Sequence, residues 1–252
     1  MTNATHDHRI VAQFSRWAAP FASEPIHTDG DGMARTLAAC DLQAVHVVLD
    51  VACGPGIVAC ALAPHVAHVT GVDLTPAMIE QARARQEKSG LTNLAWQVGN
   101  AAALPFADAS FDRVVTRYSL HHMPDPLAVV REMARVCKPG GRIVVIDATP
   151  APECQAAYDE METLRDPSHT SALTPKQLQD IGRVLKMPEV ARDFYRLEAR
   201  LDRLADAEDM AELTALFKRD IAGGHDMTGV QARQVGAIIY FHFPVSIIAW
   251  TR

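Results

Sequence analysis

The sequence predicts an α/β protein built on a doubly wound, mostly parallel sheet. Three observations carry that expectation. Short apolar, β-branched runs alternate with helical stretches up to residue 147, which is the pattern of parallel βαβ units with right-handed crossovers. The first such run, Val45 to Val51, is apolar without alternation, as in a strand covered by helices on both faces. The 252 residues are 48% apolar and 21% charged. By mass scaling, folding removes about 29,000 Å² of roughly 40,000 Å² from water, enough for a full core without disulfide or metal staples.

The elements follow in order. The first 40 residues read as helices broken at Pro20 and Pro25. Val45 to Val51 is the first strand, and Gly54-Pro55-Gly56 turns the chain into a helix from Ile57 to about His65. Ala67 to Val72 is a second strand ending at Asp73. Thr75-Pro76 then opens a helix with an N-cap residue and Pro at the first helical position. That helix carries Met78, Ile79 and Ala82 on one side and ends near Ser89-Gly90. Leu94 to Val98, Phe111 to Thr116 and Arg142 to Ile146 are the next three strands, with a helix from Leu127 to Val136 stopped by Pro139-Gly140. After Asp147 the pattern changes. Ala151 to Asp166, Pro175 to Lys186 and Ala207 to Asp220 read as helices, and Phe194 to Leu201 alternates like a strand. Gly236 to Trp250 is apolar and β-branched but interrupted by Pro244, so the tail is expected to finish the sheet as two strands meeting at that proline.

Charge and cysteine content narrow the function. Lys and Arg number 24 against 30 Asp and Glu, a net charge of -6, whereas a protein gripping phosphate backbones carries a basic excess. Nucleic acid and anionic membrane surfaces are therefore not expected partners. No apolar run reaches 18 residues and the first ten residues lack an apolar signal core, so neither a spanning helix nor a signal peptide is expected. Five cysteines with no CxxC pair argue for reduced, buried thiols of a cytoplasmic protein, not for a disulfide framework or zinc ribbon. No metal site is expected.

The chemistry concentrates after the first two strands. A Gly-rich turn between a strand and a helix lets backbone approach a ligand closely. Asp73, seventeen residues after Gly56, stands where a carboxylate accepts both hydroxyls of a ribose. An adenosine-type cofactor at the switch point of the sheet is the reading. Gly54, Gly56 and Ala59 also fit a dinucleotide fingerprint, so spacing leaves NAD open. Asp50 discriminates, because a carboxylate just before the turn repels a pyrophosphate and attracts an ammonium and a sulfonium. At 4–6 Å that difference is roughly 1 kcal/mol or more even when screened. The plain alternative for Asp50 is a turn or capping carboxylate.

Asp50-Val51-Ala52-Cys53-Gly54-Pro55-Gly56, Gly71-Val72-Asp73, Gly99 to Phe106 and Phe111-Asp112 together resemble the class I S-adenosylmethionine-dependent methyltransferases. The nearest subgroup includes the ubiquinone and menaquinone biosynthesis enzymes. Ser119 to Pro126 and Cys137-Lys138-Pro139-Gly140-Gly141 extend the likeness, and Phe241 to Val245 resembles a last strand of that group. The resemblance implies a Rossmann-like sheet of seven strands, the last antiparallel, with helices on both faces and a helical cover over the carboxyl edge. One domain is implied: residues 1–40 a helical lid, 41–147 the cofactor core, 148–235 a substrate cover with one strand, and 236–252 the closing strand.

The same resemblance distributes roles. Asp50 orients the methionine amino group, and Ala52, Gly54 and Gly56 present backbone to the cofactor. Asp73 holds the ribose diol, Leu74 and Met78 lie against the adenine, and Asn100 and Ala101 meet its edge. The family more often has Asp where this chain has Asn100, although an amide oxygen still accepts from the adenine amino group. Arg117 stands where backbone runs near the methionine portion. Apart from the resemblance, the plain reading of His122 is that it packs and hydrogen-bonds beneath the cofactor loop. The acceptor is expected to be a small aromatic or heterocyclic metabolite of secondary metabolism, methylated on N, O or C. A quinone-precursor C-methyltransferase is the alternative within the family. An NAD-dependent oxidoreductase and a non-catalytic cofactor binder are the alternatives outside it. The protein is expected to act as a monomer or homodimer.

Candidate bases are His121, His122, His169, His242, Tyr118 and Tyr240, with His169, Tyr118 and His242 foremost and Tyr240 also a substrate contact. His121 and His122 are expected on opposite faces if the strand extends that far. Phe14, Trp17 and Phe21 form an aromatic stripe at helical spacing, which reads as core packing or as a lid over cofactor and substrate.

Overall fold

The computed structural model describes residues 3–23, 30–204 and 209–252, with first-helix side chains from residue 6 to 19. The strands are β1 Val47–Val51, β2 His68–Asp73, β3 Leu94–Val98, β4 Phe111–Arg117, β5 Cys137–Ala148, β6 Glu189–Arg200, β7 Arg233–Val235 and β8 Ile238–Thr251. The helices are α1 Asn3–Ser23, α2 Gly30–Cys40, α3 Ile57–Leu62, α4 Pro76–Ser89, α5 Pro126–Val136, α6 Gln155–Arg165, α7 Pro175–Val184, α8 Leu201–Leu204 and α9 Met210–Gly223. One sheet runs in the order β3-β2-β1-β4-β5-β8-β6, with β7 paired to β8. The first five strands are parallel, and β8 runs antiparallel to both β5 and β6. The strand order reverses between β1 and β4, and ligands of open α/β sheets bind outside the carboxyl ends of the strands at such a switch point.

The period of two along each strand divides the core. Val48, Val115, Val144, Ile247 and Ala249 face one way, against Ala39 and Cys40 of α2 and Ile79 and Ala82 of α4. Leu49, Val51, Val114, Val145 and Trp250 face the other, against Val129, Val130 and Met133 of α5 and Leu178 of α7. A third cluster joins Tyr158 and Met161 of α6, Leu213 and Phe217 of α9, and Phe241 of β8. This third core forms a cover over one end of the sheet. No helix among the described residues is long and apolar enough to cross a membrane.

Several local expectations are corrected. The helix does not break at Pro20: α1 continues to Ser23. Pro20 lies in its last turn, where the missing N–H removes a single terminal bond. Pro25 lies outside the described residues. Thr75 is the N-cap of α4 and Pro76 its first residue, as expected, but the Thr75 side chain makes no capping bond; its N–H is held by Asp73 Oδ1 at 2.9 Å. The tail is one continuous strand of 14 residues through Pro244. The Pro244 carbonyl accepts from Thr149 N at 2.6 Å, just past the last β5 pair, Ala148 with Val245. The absent proline N–H therefore costs only the final rung of that ladder. The short β7 makes the sheet eight-stranded by pairing with the far end of β8.

Candidate active site

Three residues with positive φ, Ala52 (53°), Gly54 (51°) and Gly56 (74°), curl the chain as it leaves β1. The curl is tied to β2. Cys53 N donates to Val72 O at 3.0 Å, and Gly54 N donates to Asp73 Oδ2 at 2.8 Å. Beyond it opens a cavity of about 340 Å³ lined by Asp50, Ala52, Gly54, Asp73, Leu74, Met78, Asn100, Ala101, Arg117 and His122, among others. Of the residues assigned to the cofactor by sequence, Gly56 alone is off this wall. A Cβ there would lie 2.6 Å from the Trp96 ring and 3.0 Å from Ala82. Gly56 therefore lets the turn pack onto β3 and α4, and its φ suits glycine.

The electrostatics of this cavity are unusual. Asp50 is 1% exposed and its Oδ2 has no hydrogen-bond partner. Burial pushes its pKa up to about 8, against the Ala59 N–H that it accepts from. Burial also raises Asp73, opposed by the N–H groups of Thr75 and Gly54. The cation on the same wall is Arg117, whose guanidinium lies 4.4 Å from the centre of the Tyr118 ring. An orphaned buried carboxylate is costly, and a ligand ammonium would satisfy it. Arg117 suits a carboxylate, and Asp73 with the backbone around Ala101 suits a nucleoside. The residues present thus fit S-adenosylmethionine.

Helix α1 lies over this cavity and contributes Asp7, Ile10 and Phe14 to it. His6 Nε2 donates to the His122 carbonyl at 2.7 Å, and Asn100 Nδ2 donates to Asp7 Oδ2 at 3.1 Å. A second cavity, of about 120 Å³, adjoins the first. Phe14, Tyr118 and His122 line both. Its apolar wall is Trp17, Leu197, Phe243 and Val245, and its polar wall is His121, Tyr158, Glu162, Arg165 and Asp166. Glu162 and Arg165 form a two-pronged pair at 2.9 and 2.6 Å.

His121 and His122 sit on a 3₁₀ turn, Leu120–His122, and not on a strand. Both therefore reach the second cavity, with ring centres 4.2 Å apart, against the expectation of opposite faces. His121 Nδ1 meets Asp147 Oδ1 at 2.5 Å. Asp147, the last-but-one residue of β5, is held by Leu120 N at 2.6 Å and Ala148 N at 2.8 Å. Burial opposes the charge on each, but their mutual attraction prevails: His121 is raised and Asp147 lowered from their usual values. His122 behaves oppositely. Burial and then the neighbouring His121 push it down to about 3. Ser168 Oγ donates to Asp166 Oδ1 at 2.6 Å, so the neutral His122 ring donates from Nδ1 to Ser168 Oγ, 3.1 Å away. Tyr118 leaves β4 with φ 56°, and its hydroxyl lies 2.6 Å from that of Tyr195.

The other expected bases are elsewhere. His169 is buried off both cavities, its Nε2 against Asp159 Oδ1 at 2.8 Å, because Thr170 N donates to His121 O and draws the loop beneath the 3₁₀ turn. His242 and Tyr240 lie on the face of β8 opposite Phe243 and Val245, as strand alternation requires. His242 Nε2 is 3.6 Å from Glu198, and the Tyr240 ring faces Arg233 at 5.1 Å. Phe14 and Trp17 reach the second cavity, whereas the side chain of Phe21 lies outside those described. Residues the sequence reading passed over are Asp7, Asp147, Tyr158, Glu162 and Arg165. A signal for Asp147 was present, since Asp50, Asp73 and Asp147 each stand at the carboxyl end of a strand. Tyr158, Glu162 and Arg165, at helical spacing, mark a polar stripe where a covering helix ordinarily turns an apolar one.

Comparison with known proteins agrees with this architecture. Residues 49–145 match the family model described as a methyltransferase domain. An uncharacterized methyltransferase of Bacillus subtilis, YcgJ, is 36% identical over 171 residues, covering 67% of this chain and 65% of the relative. The methyltransferase GfsG of Streptomyces halstedii is 39% identical over 137 residues, 53% of this chain and 49% of its own. The chain thus aligns with about half to two thirds of the length of these curated relatives. The crystal structure of YcgJ superposes with a TM-score of 0.80 at 27% identity, covering 88% of this chain and 98% of that one. A putative methyltransferase of Bacillus halodurans superposes with a TM-score of 0.78 at 27% identity, covering 88% and 99%. With the sheet order, the turn after β1 and the carboxylates at the ends of β1 and β2, these matches support a class I S-adenosylmethionine-dependent methyltransferase, with residues 49–145 as its methyltransferase domain.

Proposed function

We propose that this protein transfers a methyl group from S-adenosylmethionine to a small metabolite held in the second cavity. The observation that carries the reading is the shared wall: Phe14, Tyr118 and His122 border both cavities, so a donor in one faces an acceptor in the other. When bound, the cofactor supplies an electrophilic methyl group on a sulfonium, with the thioether product as leaving group. The chain's own residues do the rest. Asp50 holds the ammonium, Arg117 the carboxylate and Asp73 the ribose. Phe14 and Trp17 exclude water from the junction, which favours an in-line displacement governed by positioning.

The acceptor chemistry follows from the second cavity. Trp17, Leu197, Phe243 and Val245 suit an aromatic or otherwise apolar body. His121, with its Nδ1 held by Asp147, presents the other ring nitrogen as proton acceptor, the arrangement of a positioned general base. This favours a hydroxyl or amine acceptor, whose oxygen or nitrogen bonds the methyl carbon as the carbon–sulfur bond breaks and whose proton passes to His121. A quinone-precursor carbon acceptor is the second reading, since its phenolic proton could meet the same base. The buried Asp50 carboxylate disfavours the pyrophosphate of NAD. The negative net charge supports a small molecule over nucleic acid as partner.

The test is in two stages. Calorimetric titration with S-adenosylhomocysteine and with NADH should give binding of the first only. Transfer of labelled methyl over a panel of phenols, aliphatic alcohols, heterocyclic amines and quinol precursors should then reveal an acceptor whose methylation His121→Ala slows at least a hundredfold without altering cofactor affinity. NADH binding without S-adenosylhomocysteine binding would sink the proposal.

A further inference from the structure

We propose that Asp7, on the covering helix α1, is the residue that reads the adenine amino group, and that Asn100 serves as its tether. The inference rests on the first cavity being the S-adenosylmethionine site. It begins from a departure noted in the sequence, where Asn100 stands at a position more often occupied by Asp. In the structure both ends of the Asn100 amide are engaged. Oδ1 accepts from Ala102 N at 2.8 Å, which closes the local turn. Nδ2 donates to Asp7 Oδ2 at 3.1 Å. Asp7 and Asn100 line the same cavity beside Ala101, on the side where the ribose carboxylate Asp73 begins the nucleoside wall.

The exchange of residue types then has a physical reason. An Asp at position 100 would set two carboxylates at hydrogen-bond distance and repel α1 from the cavity. An Asn there donates to Asp7 and brings a carboxylate in from the helix. Oδ2 of Asp7 is used by this bond, and Oδ1 makes no hydrogen bond to the described residues, so it is left to accept from the exocyclic amino group of an adenine. A carboxylate is the stronger acceptor than an amide whose oxygen already serves a backbone N–H. The recognising group thus sits on the cover and not on the sheet. The same helix donates from His6 to the His122 carbonyl at 2.7 Å and places Ile10 and Phe14 on the cavity wall. Adenine recognition and the seating of α1 are consequently one event. A nucleoside with a 6-oxo group in place of the 6-amino group offers Asp7 an acceptor against an acceptor, and is rejected by the helix as well as by the base pocket.

The experiment compares S-adenosylhomocysteine with S-inosylhomocysteine on the full-length protein by calorimetry, with tryptic cleavage after Arg9 and Arg16 as a second readout. Wild type should bind the adenosyl ligand at least about tenfold more tightly than the inosyl ligand, a buried hydrogen bond's difference, and the adenosyl ligand alone should protect α1. Asp7→Asn and Asp7→Ala should lower adenosyl affinity about tenfold and erase the preference. Asn100→Asp should weaken binding and expose α1 to trypsin without ligand. The double variant Asp7→Asn with Asn100→Asp, which exchanges the two groups, should bind better than either single variant. If Asp7 variants weaken both ligands equally and leave their ratio unchanged, Asp7 is only a packing residue and the inference fails while the cofactor site stands. If S-adenosylhomocysteine does not bind wild type, both fall.

Discussion

Replacing Asp50 with Asn should stabilise the ligand-free protein and weaken its hold on the cofactor. The carboxylate is buried, its Oδ2 is orphaned, and its pKa is raised to about 8. An Asp with a raised folded-state pKa favours folding only where it is protonated. Its penalty is absent below the unfolded pKa of about 3.9, grows as pH rises, and is complete above the folded value. Each pKa unit is about 1.4 kcal/mol, so at pH 7 the penalty is on the order of 4 kcal/mol. Asn has the same shape and can still accept from Ala59 N, but it leaves an amide N–H where Oδ2 was, a cost of about 1–3 kcal/mol. The net expectation is about 2 kcal/mol of added stability, a rise of roughly 4–8 °C in Tm for a domain of this size. Thermal unfolding from pH 4 to pH 9 should show the gain at pH 8 and its loss toward pH 4. Calorimetry should show weaker S-adenosylhomocysteine binding in the variant. In wild type it should show proton release on binding below pH 8, because a bound ammonium favours the ionised carboxylate. An Asp50→Asn protein with unchanged Tm at pH 8 and unchanged cofactor affinity would refute the reasoning.

Asp147→Asn should lower the pKa of His121, moving the acid limb of the kcat–pH profile to lower pH and reducing kcat about a hundredfold. An unmoved limb would remove His121 as the base. The raised pKa of His121 contributes stability that is lost as pH rises past it, and the lowered pKa of Asp147 contributes stability that is lost as pH falls through it. Urea unfolding of wild type against Asp147→Asn should therefore give a difference that shrinks toward both ends of pH 3–9, and a flat difference counts against the pair. His169→Ala should keep full turnover while losing about 1–3 kcal/mol of stability, because Asp159 loses a buried partner; a selective loss of kcat would restore His169 to the site. Gly56→Ala forces a Cβ to within 2.6 Å of Trp96 at φ 74°, so its Tm should fall by several degrees with altered tryptophan emission, and an unaltered Tm would contradict the packing role.

The cofactor half of the molecule was legible because its signals are local. A β-branched run, a glycine turn and an Asp at a strand end lie within a few residues of one another, and backbone sterics translate them directly into strand, curl and cavity wall. Asp50 and Asp73 could be named for that reason, whereas Asn100 was named only through the family resemblance. The acceptor half was legible only in outline. His169, His242 and Tyr240 were plausible as bases by residue type. Their position depends on where a loop is drawn by Thr170 and on which face of β8 each residue takes, and neither is written in the neighbouring residues. Pro244 misled for a similar reason: its cost depends on whether its N–H had a ladder partner to lose, which only the end of β5 settles.

Sequence alone determined the class of sheet, the turn that meets the cofactor and the sign of the charge beside it, since these follow from periodicity, glycine freedom and the placement of a carboxylate. Tertiary structure alone decided what lines the second cavity and how α1 seats on the first. Asp147 pairs with His121 across 26 residues, Asp7 meets Asn100 across 93, and α6 turns Glu162 and Arg165 into the same space. Such contacts are set by how distant elements pack over the sheet's edge, and a buried charge shows its purpose only when its partner, or the lack of one, can be seen.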